Sequence, residues 1–274
     1  MWQPTNPVTP VINTFRIGLP ASAKMVAQLC RGRGSPAANP GKSSAMPNST
    51  VSVVTITLNE ERAIGKVIAD IKAAAGDCEI VVVDSSSDRT PEIAESMGAR
   101  VIRQEPRGYG VAMRTALLSG EGDIVITTDC DDTYPMHMIP EFVAGIEEGY
   151  DIVSGSRLAG CLKPAHMPFV NWFGNWLFAA MTSTLYGFRT TDVTTGMRAY
   201  RKEVLHSIEW ETNYALPAEL VIRPHLAGRR IKEIAIPYRE RVGDITLNKW
   251  RSGKAFLRGI AKYRFGWEID PGLL

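Results

Sequence analysis

The chain has 274 residues, 45% of them hydrophobic and 22% charged, and its formal net charge at pH 7 is +2. Such a chain can bury a full hydrophobic core, and the small net charge gives no overall field that would point to nucleic acid as a partner. The four cysteines are far apart and form no C-x-x-C pair, which argues against a zinc site or a disulfide framework; they are Cys30, Cys78, Cys130 and Cys161.

Residues 1–49 differ in composition from the rest of the chain. They are rich in Pro, Ser, Asn, Gly and Ala and contain basic residues, whereas the first acidic residue of the chain is Glu60. An acid-poor basic leader is typical of an organelle transit peptide, but a disordered extension or a true start at Met46 explains the same composition. We expect a disordered or leader segment over 1–49, a folded domain over 50–264 and a C-terminal tail over 265–274.

Strands and helices alternate from residue 51 onward. Each strand is a β-branched or apolar run, and a polar loop and a helical pattern follow it. The strands are predicted at 51–57, 79–83, 100–103 and 123–129, with a further strand at 151–154. This alternation predicts βαβ units, a parallel sheet with right-handed crossovers and a ligand crevice at the carboxyl ends of the strands.

The fourth strand ends in three carboxylates within four positions, namely Asp129, Asp131 and Asp132. Clustered like charges at the end of a buried strand repel one another unless they share a cation. Carboxylates without His or Cys nearby suit a hard, oxygen-seeking ion such as Mg²⁺ or Mn²⁺. A solvated acidic turn is the alternative interpretation.

Polar side chains follow the earlier strands as well. Asn59 and Glu60 come after the first strand and Asp84 ends the second, so all three are expected to converge with Asp129 on one edge of the sheet. Carboxylates there can accept hydrogen bonds from a nucleobase N–H and from ribose hydroxyls. No G-x-G-x-x-G follows the first strand and the chain contains no P-loop motif, so a nucleotide bound together with a metal is the better hypothesis.

Further motifs occur in a fixed order along the chain. They are Leu58-Asn59-Glu60, the stretch from Val83-Asp84 to Thr90, Arg107-Gly-Tyr-Gly110, Gly122-Asp123 and Asp129-Cys-Asp131. Together they resemble the family-2 glycosyltransferases with the GT-A fold. Ser156-Arg157 and the stretch from Asp192 to Arg198 are similar to the dolichyl- and polyprenyl-phosphate mannosyltransferase branch of that family. The resemblance implies an α/β fold with a Rossmann-like, mostly parallel sheet flanked by helices.

The resemblance also implies roles at the donor site. The nucleotide-binding residues would be Asn59, Glu60, Asp84 and Asp129. The metal ligands would be Asp129, Asp131 and Thr133. Thr133 stands where the family often has glutamine, and a hydroxyl is a weaker ligand.

At the acceptor site, the resemblance implies that Arg157, Arg198 and Arg241 bind a phosphate. A phosphate monoester has a second pKa of about 6, so its oxygen is anionic at pH 7 and needs no general base. Neutralising its charge beside a diphosphate is then the main catalytic task. Asp192 is the only base candidate for a hydroxyl acceptor; otherwise we expect it to orient a partner or to pair with an arginine.

The stretch 167–188 is the most aromatic part of the chain and predicts an amphipathic interface helix. Asn, Gly and Thr interrupt it too often for a membrane span. Trp172 and Trp176 lie four residues apart on one helix face, as interfacial anchors do, although a buried core helix is an equal alternative. The C-terminal region from 229 to 264 is basic and suits an anionic membrane surface, although a solvated helix face explains it too.

The residues and the resemblance together predict a metal-dependent, inverting hexosyltransferase. Its donor would be a GDP- or UDP-linked sugar of mannose or glucose type, its acceptor a polyprenyl or dolichyl phosphate, and its cofactor Mg²⁺ or Mn²⁺. It would lie peripherally on the cytoplasmic membrane face, without a nucleic-acid partner. Two alternatives remain: a family-2 enzyme with a hydroxyl acceptor that uses Asp192, and a non-catalytic scaffold that binds nucleotide sugars.

Overall fold

The computed structural model describes residues 49–159, 164, 166–239 and 249–266. The predicted leader lies outside this part of the chain except for Ser49, and so does the predicted tail beyond residue 266. The division into these three predicted segments therefore stays a prediction.

The described residues form one seven-stranded sheet. Its strands are β1 (Val51–Thr57), β2 (Glu79–Asp84), β3 (Arg100–Arg103), β4 (Ile124–Asp129), β5 (Ile152–Ser156), β6 (Arg198–Arg201) and β7 (Ile231–Ala235). The spatial order is β3-β2-β1-β4-β6-β5-β7. β1, β2, β3 and β4 pair in parallel, as do β5 and β7, whereas β6 runs antiparallel to both of its neighbours. The prediction of a mostly parallel sheet is confirmed.

Helices cover both faces of this sheet. They are α1 (Ile64–Ala75), α2 (Thr90–Ser96), α3 (Tyr109–Ser119), α4 (Ile139–Glu147), α5 (Phe169–Tyr186), α6 (Lys202–His206), α7 (Leu216–Leu226) and α8 (Lys249–Phe265). Successive strand residues point to opposite faces, so Val53 packs in a core with α1, α2 and α4 while Val54 packs in a core with α3, α6 and α7. Burial on both faces explains why β1, β2 and β4 are almost continuously apolar.

A third apolar cluster joins α5, α7 and α8. Phe178 of α5 and Phe256 of α8 place their ring centroids 4.7 Å apart. The Tyr186 hydroxyl donates a hydrogen bond to the Ile260 carbonyl. This cluster anchors one side of α5, because Ala179 and Thr182 are buried there.

The antiparallel strand β6 was not predicted, and it positions the site. Thr127 of β4 pairs with Arg198 at the start of β6. Because the strands run in opposite directions, the residues just before Arg198 lie beside the carboxyl end of β4. The stretch 192–197 is thereby brought to Asp129.

Candidate active site

The turn after β4 carries the three predicted carboxylates in different environments. Asp129 is half-buried at the strand end, and Asp131 is 6% exposed. Asp131 Oδ1 accepts hydrogen bonds from the Thr133 hydroxyl at 2.6 Å and from its N–H at 3.2 Å. Asp132 turns to other partners, since its Oδ1 lies 2.6 Å from Lys66 Nζ and 3.7 Å from Arg239 Nη1.

The side chains of Asp129, Asp131 and Thr133 offer oxygen ligands, and Cys130 between the two carboxylates is buried. Among the residues that the structure describes, no three His, Cys, Asp or Glu side chains are grouped so as to hold a metal ion. Asp129 and Asp131 lie two residues apart in this turn, and Mg²⁺ is commonly bound by one or two carboxylates while substrate phosphates and water complete its coordination. The Thr133 hydroxyl is 1% exposed and already donates to Asp131, so the structure places it as a support of that carboxylate.

The predicted nucleotide residues lie at the same edge of the sheet. The strand register places Asp84 beside Thr57 and Asp129 beside Ile56, on either side of β1. Asp84 is fully buried, and its oxygens accept hydrogen bonds from Thr57 Oγ1 at 2.6 Å and from Ser86 Oγ at 2.6 Å. The expected convergence at one edge is therefore present.

Two residues that the sequence did not single out organise this edge. Ser86 links Asn59 to Asp84, because its hydroxyl accepts the Asn59 N–H at 2.7 Å and donates to the Asp84 carboxylate. Arg103, the last residue of β3, donates to Asp84 Oδ2 and to the Ser86 carbonyl. Ser86 lies within the motif from Val83 to Thr90, which assigned it no role of its own, and only the position of Arg103 at a strand end could have suggested Arg103.

Asn59 and Glu60 form the loop that follows β1. Asn59 adopts a left-handed φ of 60°, which Asn tolerates better than most residues. Its Oδ1 accepts the Ser87 N–H at 2.9 Å, and the Glu60 N–H donates to Thr90 Oγ1 at 2.9 Å. The loops after β1 and β2 are thus tied together beside Asp84.

The loop before β6 packs directly on Asp129. The Gly196 N–H donates to the Tyr134 hydroxyl at 2.6 Å, and the Gly196 carbonyl accepts from Thr127 Oγ1 at 2.7 Å. Burial raises the pKa of Tyr134 well above its ordinary value, so the phenol stays neutral. Asp129 is therefore held between its own turn and this loop.

The Gly-Tyr-Gly motif brings a tyrosine toward Asp129. Gly108 and Gly110 lie so close to Asn213 that an added β-carbon would come within 2.4 Å of its atoms. Asn213 Oδ1 in turn accepts the Gly110 N–H at 2.6 Å. Burial raises the pKa of Tyr109 well above its ordinary value, and the charge of Asp129 raises it further. Gly110 is thus required because the Asn213 backbone lies directly against the start of α3.

Arg157 and Asp192 form a buried bidentate ion pair. Arg157 Nε lies 2.7 Å from Asp192 Oδ2, and its Nη2 lies 3.0 Å from Oδ1 and 2.7 Å from Thr194 Oγ1. Arg157 also lies over the Tyr238 ring, 5.5 Å from its centroid. Burial alone would favour the neutral forms, but the pair overrides it, since the pKa of Asp192 is lowered and that of Arg157 is raised.

This arrangement disfavours Asp192 as a general base. The carboxylate is fully buried, and both of its oxygens are occupied by Arg157. Its lowered pKa makes it a weak proton acceptor. The structure instead places Asp192 as the partner of an arginine.

Arg198, the first residue of β6, is buried away from solvent. Arg198 is 1% exposed, and its guanidinium donates to Ser154 Oγ, the Pro217 carbonyl and the Val193 carbonyl at 2.9–3.1 Å. The structure therefore places Arg198 in the core, where it joins β5 to the 193–198 loop and to α7. Arg241 lies outside the described residues.

Helix α5 exposes an apolar face. Its exposed large side chains are Phe169, Val170, Phe173 and Leu177, at 63%, 72%, 48% and 36% exposure. Phe173 and Trp176 stack with centroids 5.9 Å apart. Within the described residues, no helix is long and apolar enough to cross a membrane.

Comparison with known proteins places this site in a family. The glycosyl transferase family 2 model matches residues 52–209. The chain is 52% identical over 213 residues to the dolichyl-phosphate hexose transferase of Haloferax volcanii, covering 77% of this chain and 92% of that protein. It is 26% identical to the undecaprenyl-phosphate mannosyltransferase of Micrococcus luteus, covering 74% of this chain and 94% of that protein.

Solved structures agree with this assignment. Glucosyl-3-phosphoglycerate synthase from Mycobacterium tuberculosis, in complex with Mn²⁺, UDP and glucosyl-3-phosphoglycerate, superposes with a TM-score of 0.64 at 25% identity, covering 82% of each chain. The same enzyme with UDP reaches a TM-score of 0.68 at 24% identity, covering 86% of this chain and 88% of that chain, and supports the fold. The chain therefore belongs to glycosyltransferase family 2.

Proposed function

We propose that this enzyme transfers a hexose from a nucleoside-diphosphate sugar to a dolichyl or polyprenyl phosphate. The observation that carries the proposal is that the chain is 52% identical to a dolichyl-phosphate hexose transferase, in an alignment that covers 92% of that protein. The similarity to an undecaprenyl-phosphate mannosyltransferase supports the same class of acceptor.

The edge formed by β1, β2 and β4 is the proposed donor site. Asn59, Glu60 and Asp84 would hold the base and the ribose, and Asp129 and Asp131 would hold Mg²⁺ or Mn²⁺. A structural neighbour that binds both Mn²⁺ and UDP supports this use of the fold. The bound metal would supply charge neutralisation for the leaving diphosphate.

Arg157 is the proposed contact for the acceptor phosphate. Asp192 and Thr194 bind its Nε and Nη2, whereas Nη1 has no hydrogen-bond partner among the described residues. Nη1 can therefore donate to a phosphate oxygen while the rest of the guanidinium stays fixed. Because Asp192 is buried and paired, a hydroxyl acceptor would lack a base here.

The reaction that fits this site is a direct displacement. An oxygen of the acceptor phosphate forms a bond to C1 of the hexose while the bond from C1 to the donor phosphate oxygen breaks. The electron pair of the broken bond leaves with the nucleoside diphosphate. Attack opposite the leaving group inverts the configuration at C1.

The exposed face of α5 is the proposed membrane contact. Phe169, Phe173 and Leu177 lie four residues apart and can bury apolar surface in the headgroup region. On the neighbouring helix α8, Lys254 and Arg258 are exposed, which would attract an anionic leaflet. The lipid acceptor would then enter the site from the cytoplasmic membrane face.

Lipid extraction after a transfer assay tests the proposal. The purified full chain is incubated with Mn²⁺, radiolabelled UDP-glucose or GDP-mannose, and either polyprenyl phosphate or a soluble glycan. We expect label in the organic phase only with polyprenyl phosphate, and no transfer by Asp131→Asn. Label that follows the glycan instead, or no transfer from either donor, would refute the proposal.

A further inference from the structure

Glu233, in the middle of β7, holds the segment that carries Asp192. Its carboxylate accepts hydrogen bonds from the Thr191 N–H at 2.9 Å, the Thr191 hydroxyl at 2.8 Å and the Thr190 hydroxyl at 2.5 Å. The Asp192 N–H lies 3.5 Å from the same carboxylate. One side chain thus fixes three consecutive residues.

The segment fixed by Glu233 contacts the strand end that carries Arg157. Thr191 Oγ1 lies 2.6 Å from Ser156 Oγ, which also accepts the Leu158 N–H at 3.2 Å. The next residue of the segment, Asp192, binds the Arg157 backbone N–H at 3.2 Å as well as its guanidinium. Glu233 therefore holds a segment that contacts both Ser156, the last residue of β5, and Arg157, the residue after it.

The partners of Glu233 are neutral donors. Within the described ranges, no Lys or Arg lies in ion-pair distance of its carboxylate, and the neighbouring Lys232 pairs instead with Glu148 at 2.6 Å. The Glu233 carboxylate thus accepts hydrogen bonds from the segment 190–192 and forms no salt bridge among the described residues. We call this set of hydrogen bonds the loop clamp. In the pairing of β5 with β7, Ser154 lies opposite Glu233. The loop clamp is therefore on β7, next to β5, which ends directly before Arg157.

We propose that Glu233 is a positioning residue for the acceptor phosphate. By fixing Thr190, Thr191 and Asp192, it sets the direction in which Asp192 holds the Arg157 guanidinium. This inference rests on the proposed function, because it takes Arg157 as the phosphate contact. Glu233 itself touches neither substrate. Its loss affects use of the acceptor and spares binding of the donor, which is held at the β1–β2–β4 edge.

The test compares Glu233→Gln and Glu233→Ala with wild type. Acceptor kinetics are measured with polyprenyl phosphate, and the affinities for UDP and GDP are measured by calorimetry with Mn²⁺. We expect kcat/KM for the acceptor to fall at least 30-fold in Glu233→Ala and to be partly rescued in Glu233→Gln, which keeps one acceptor oxygen. Nucleotide affinity should change less than twofold. Glu148→Gln, the same chemical change in a surface ion pair, serves as the control and should match wild type.

A second measurement does not depend on the acceptor. The Nε–H resonance of Arg157, assigned by its absence in Arg157→Lys, reports the bidentate pair in the ligand-free protein. We expect it to shift or broaden in both Glu233 variants and to be unchanged in Glu148→Gln. If wild type does not use polyprenyl phosphate, the proposed function fails while this resonance still tests the positioning.

Three results contradict the proposal. The first is an unchanged Arg157 resonance in Glu233→Gln. The second is an equal fall in nucleotide affinity and acceptor kcat/KM, which indicates a general structural role. The third is unchanged acceptor kinetics in both Glu233 variants. Should Glu233→Ala not fold, Glu233→Gln and Thr191→Val, which removes one clamped hydroxyl, give the same comparison.

Discussion

Gly196 lies against the carboxylate of Asp129 so closely that a β-carbon added to it would come 2.6 Å from Oδ1 and 2.7 Å from Oδ2. Neither residue can move away freely. Tyr134 and Thr127 hold the Gly196 backbone, and Asp129 ends β4 beside Ile56 of β1. A glycine is therefore required here by close approach and not by an unusual backbone angle.

Gly196→Ala should displace the Asp129 carboxylate and weaken the proposed metal and nucleotide site. Contacts of that length are not tolerated, so either the loop or Asp129 must shift. We expect a fall in turnover of at least about 100-fold, corresponding to roughly 2.7 kcal/mol at the transition state. The assay is turnover as a function of Mn²⁺ concentration.

The control for this substitution is Gly253→Ala in α8. Its added β-carbon would meet nothing within 4 Å, and alanine favours a helix over glycine by about 1 kcal/mol. The control should retain its activity and not lose stability. Full activity in Gly196→Ala would show that the loop yields without moving Asp129.

Asp131→Asn should remove most turnover while leaving the fold intact. The amide keeps an oxygen for the Thr133 hydrogen bonds but loses the charge that a divalent metal requires. Excess EDTA should do the same to wild type. Thermal unfolding measured alongside turnover separates a loss of activity from a loss of the fold. The control is Asp77→Asn, which changes an exposed carboxylate in the loop before β2. Full wild-type activity in EDTA contradicts the metal requirement.

Asp132 should tolerate glycine better than alanine. It has a left-handed φ of 61°, which costs a residue with a β-carbon roughly 1–2 kcal/mol. Its ion pairs with Lys66 and Arg239 involve side chains that are 52% and 41% exposed, and such pairs contribute about 0–1 kcal/mol. We therefore expect Asp132→Ala to be less stable than Asp132→Gly by about 1 kcal/mol in urea unfolding. Since both variants lose the ion pairs equally, the opposite order would show that the left-handed backbone angle is not what decides the difference.

The parallel part of the fold was predictable from local patterns. The strand predicted at 51–57 has the same bounds in the structure, because its apolar residues are buried on both faces and carry a continuous signal. β6 gave no such signal, since Arg198-Ala-Tyr-Arg201 has a charge at each end. Arg198 can be buried there only because Ser154, Val193 and Pro217 supply acceptors from three separate segments.

In the candidate site too, some residues were predictable from local patterns and others depend on contacts between separate segments. Asp84 and Asp129 end strands, and parallel pairing brings strand ends together, so their common edge was predictable. Ser86, Arg103 and Glu233 were missed because their roles depend on which side chains face each other across strands and loops. That information lies in the register of the sheet and not in the spacing of residues along the chain.

Arg157→Met should destabilise the protein more at pH 7 than at pH 4.5. In wild type, Arg157 lowers the pKa of Asp192, so the pair stabilises the fold above the unfolded pKa of about 3.9 and this contribution is lost as the pH falls through the folded pKa. Without Arg157, burial raises the Asp192 pKa above 3.9, so its charge costs stability as the pH rises through that raised value.

The expected loss at pH 7 is about 3–5 kcal/mol, since the substitution leaves a buried charge unpaired. It should shrink toward pH 4.5, where Asp192 of the variant takes up a proton. Urea unfolding at both pH values measures the difference. Lys232→Met breaks a more exposed ion pair with Glu148 and should cost at most about 1 kcal/mol. An equal loss at both pH values would mean that Asp192 does not titrate in the variant.

Phe173→Asp should abolish binding to anionic vesicles while sparing the fold. Phe173 is 48% exposed and lies between Phe169 and Trp176 on the apolar face of α5, so a charge there removes buried area and adds repulsion from the lipid. Cosedimentation with vesicles containing phosphatidylserine measures binding. The fall in binding as salt concentration rises measures how much of it comes from the attraction between basic residues and the anionic lipid. Thr184→Asp is the control, because Thr184 is an exposed residue outside the cluster of exposed apolar side chains at the start of α5. If wild type and Phe173→Asp sediment alike, this face of α5 does not bind the membrane; if wild type self-associates in solution and does not bind vesicles, the face contacts a second copy of the chain.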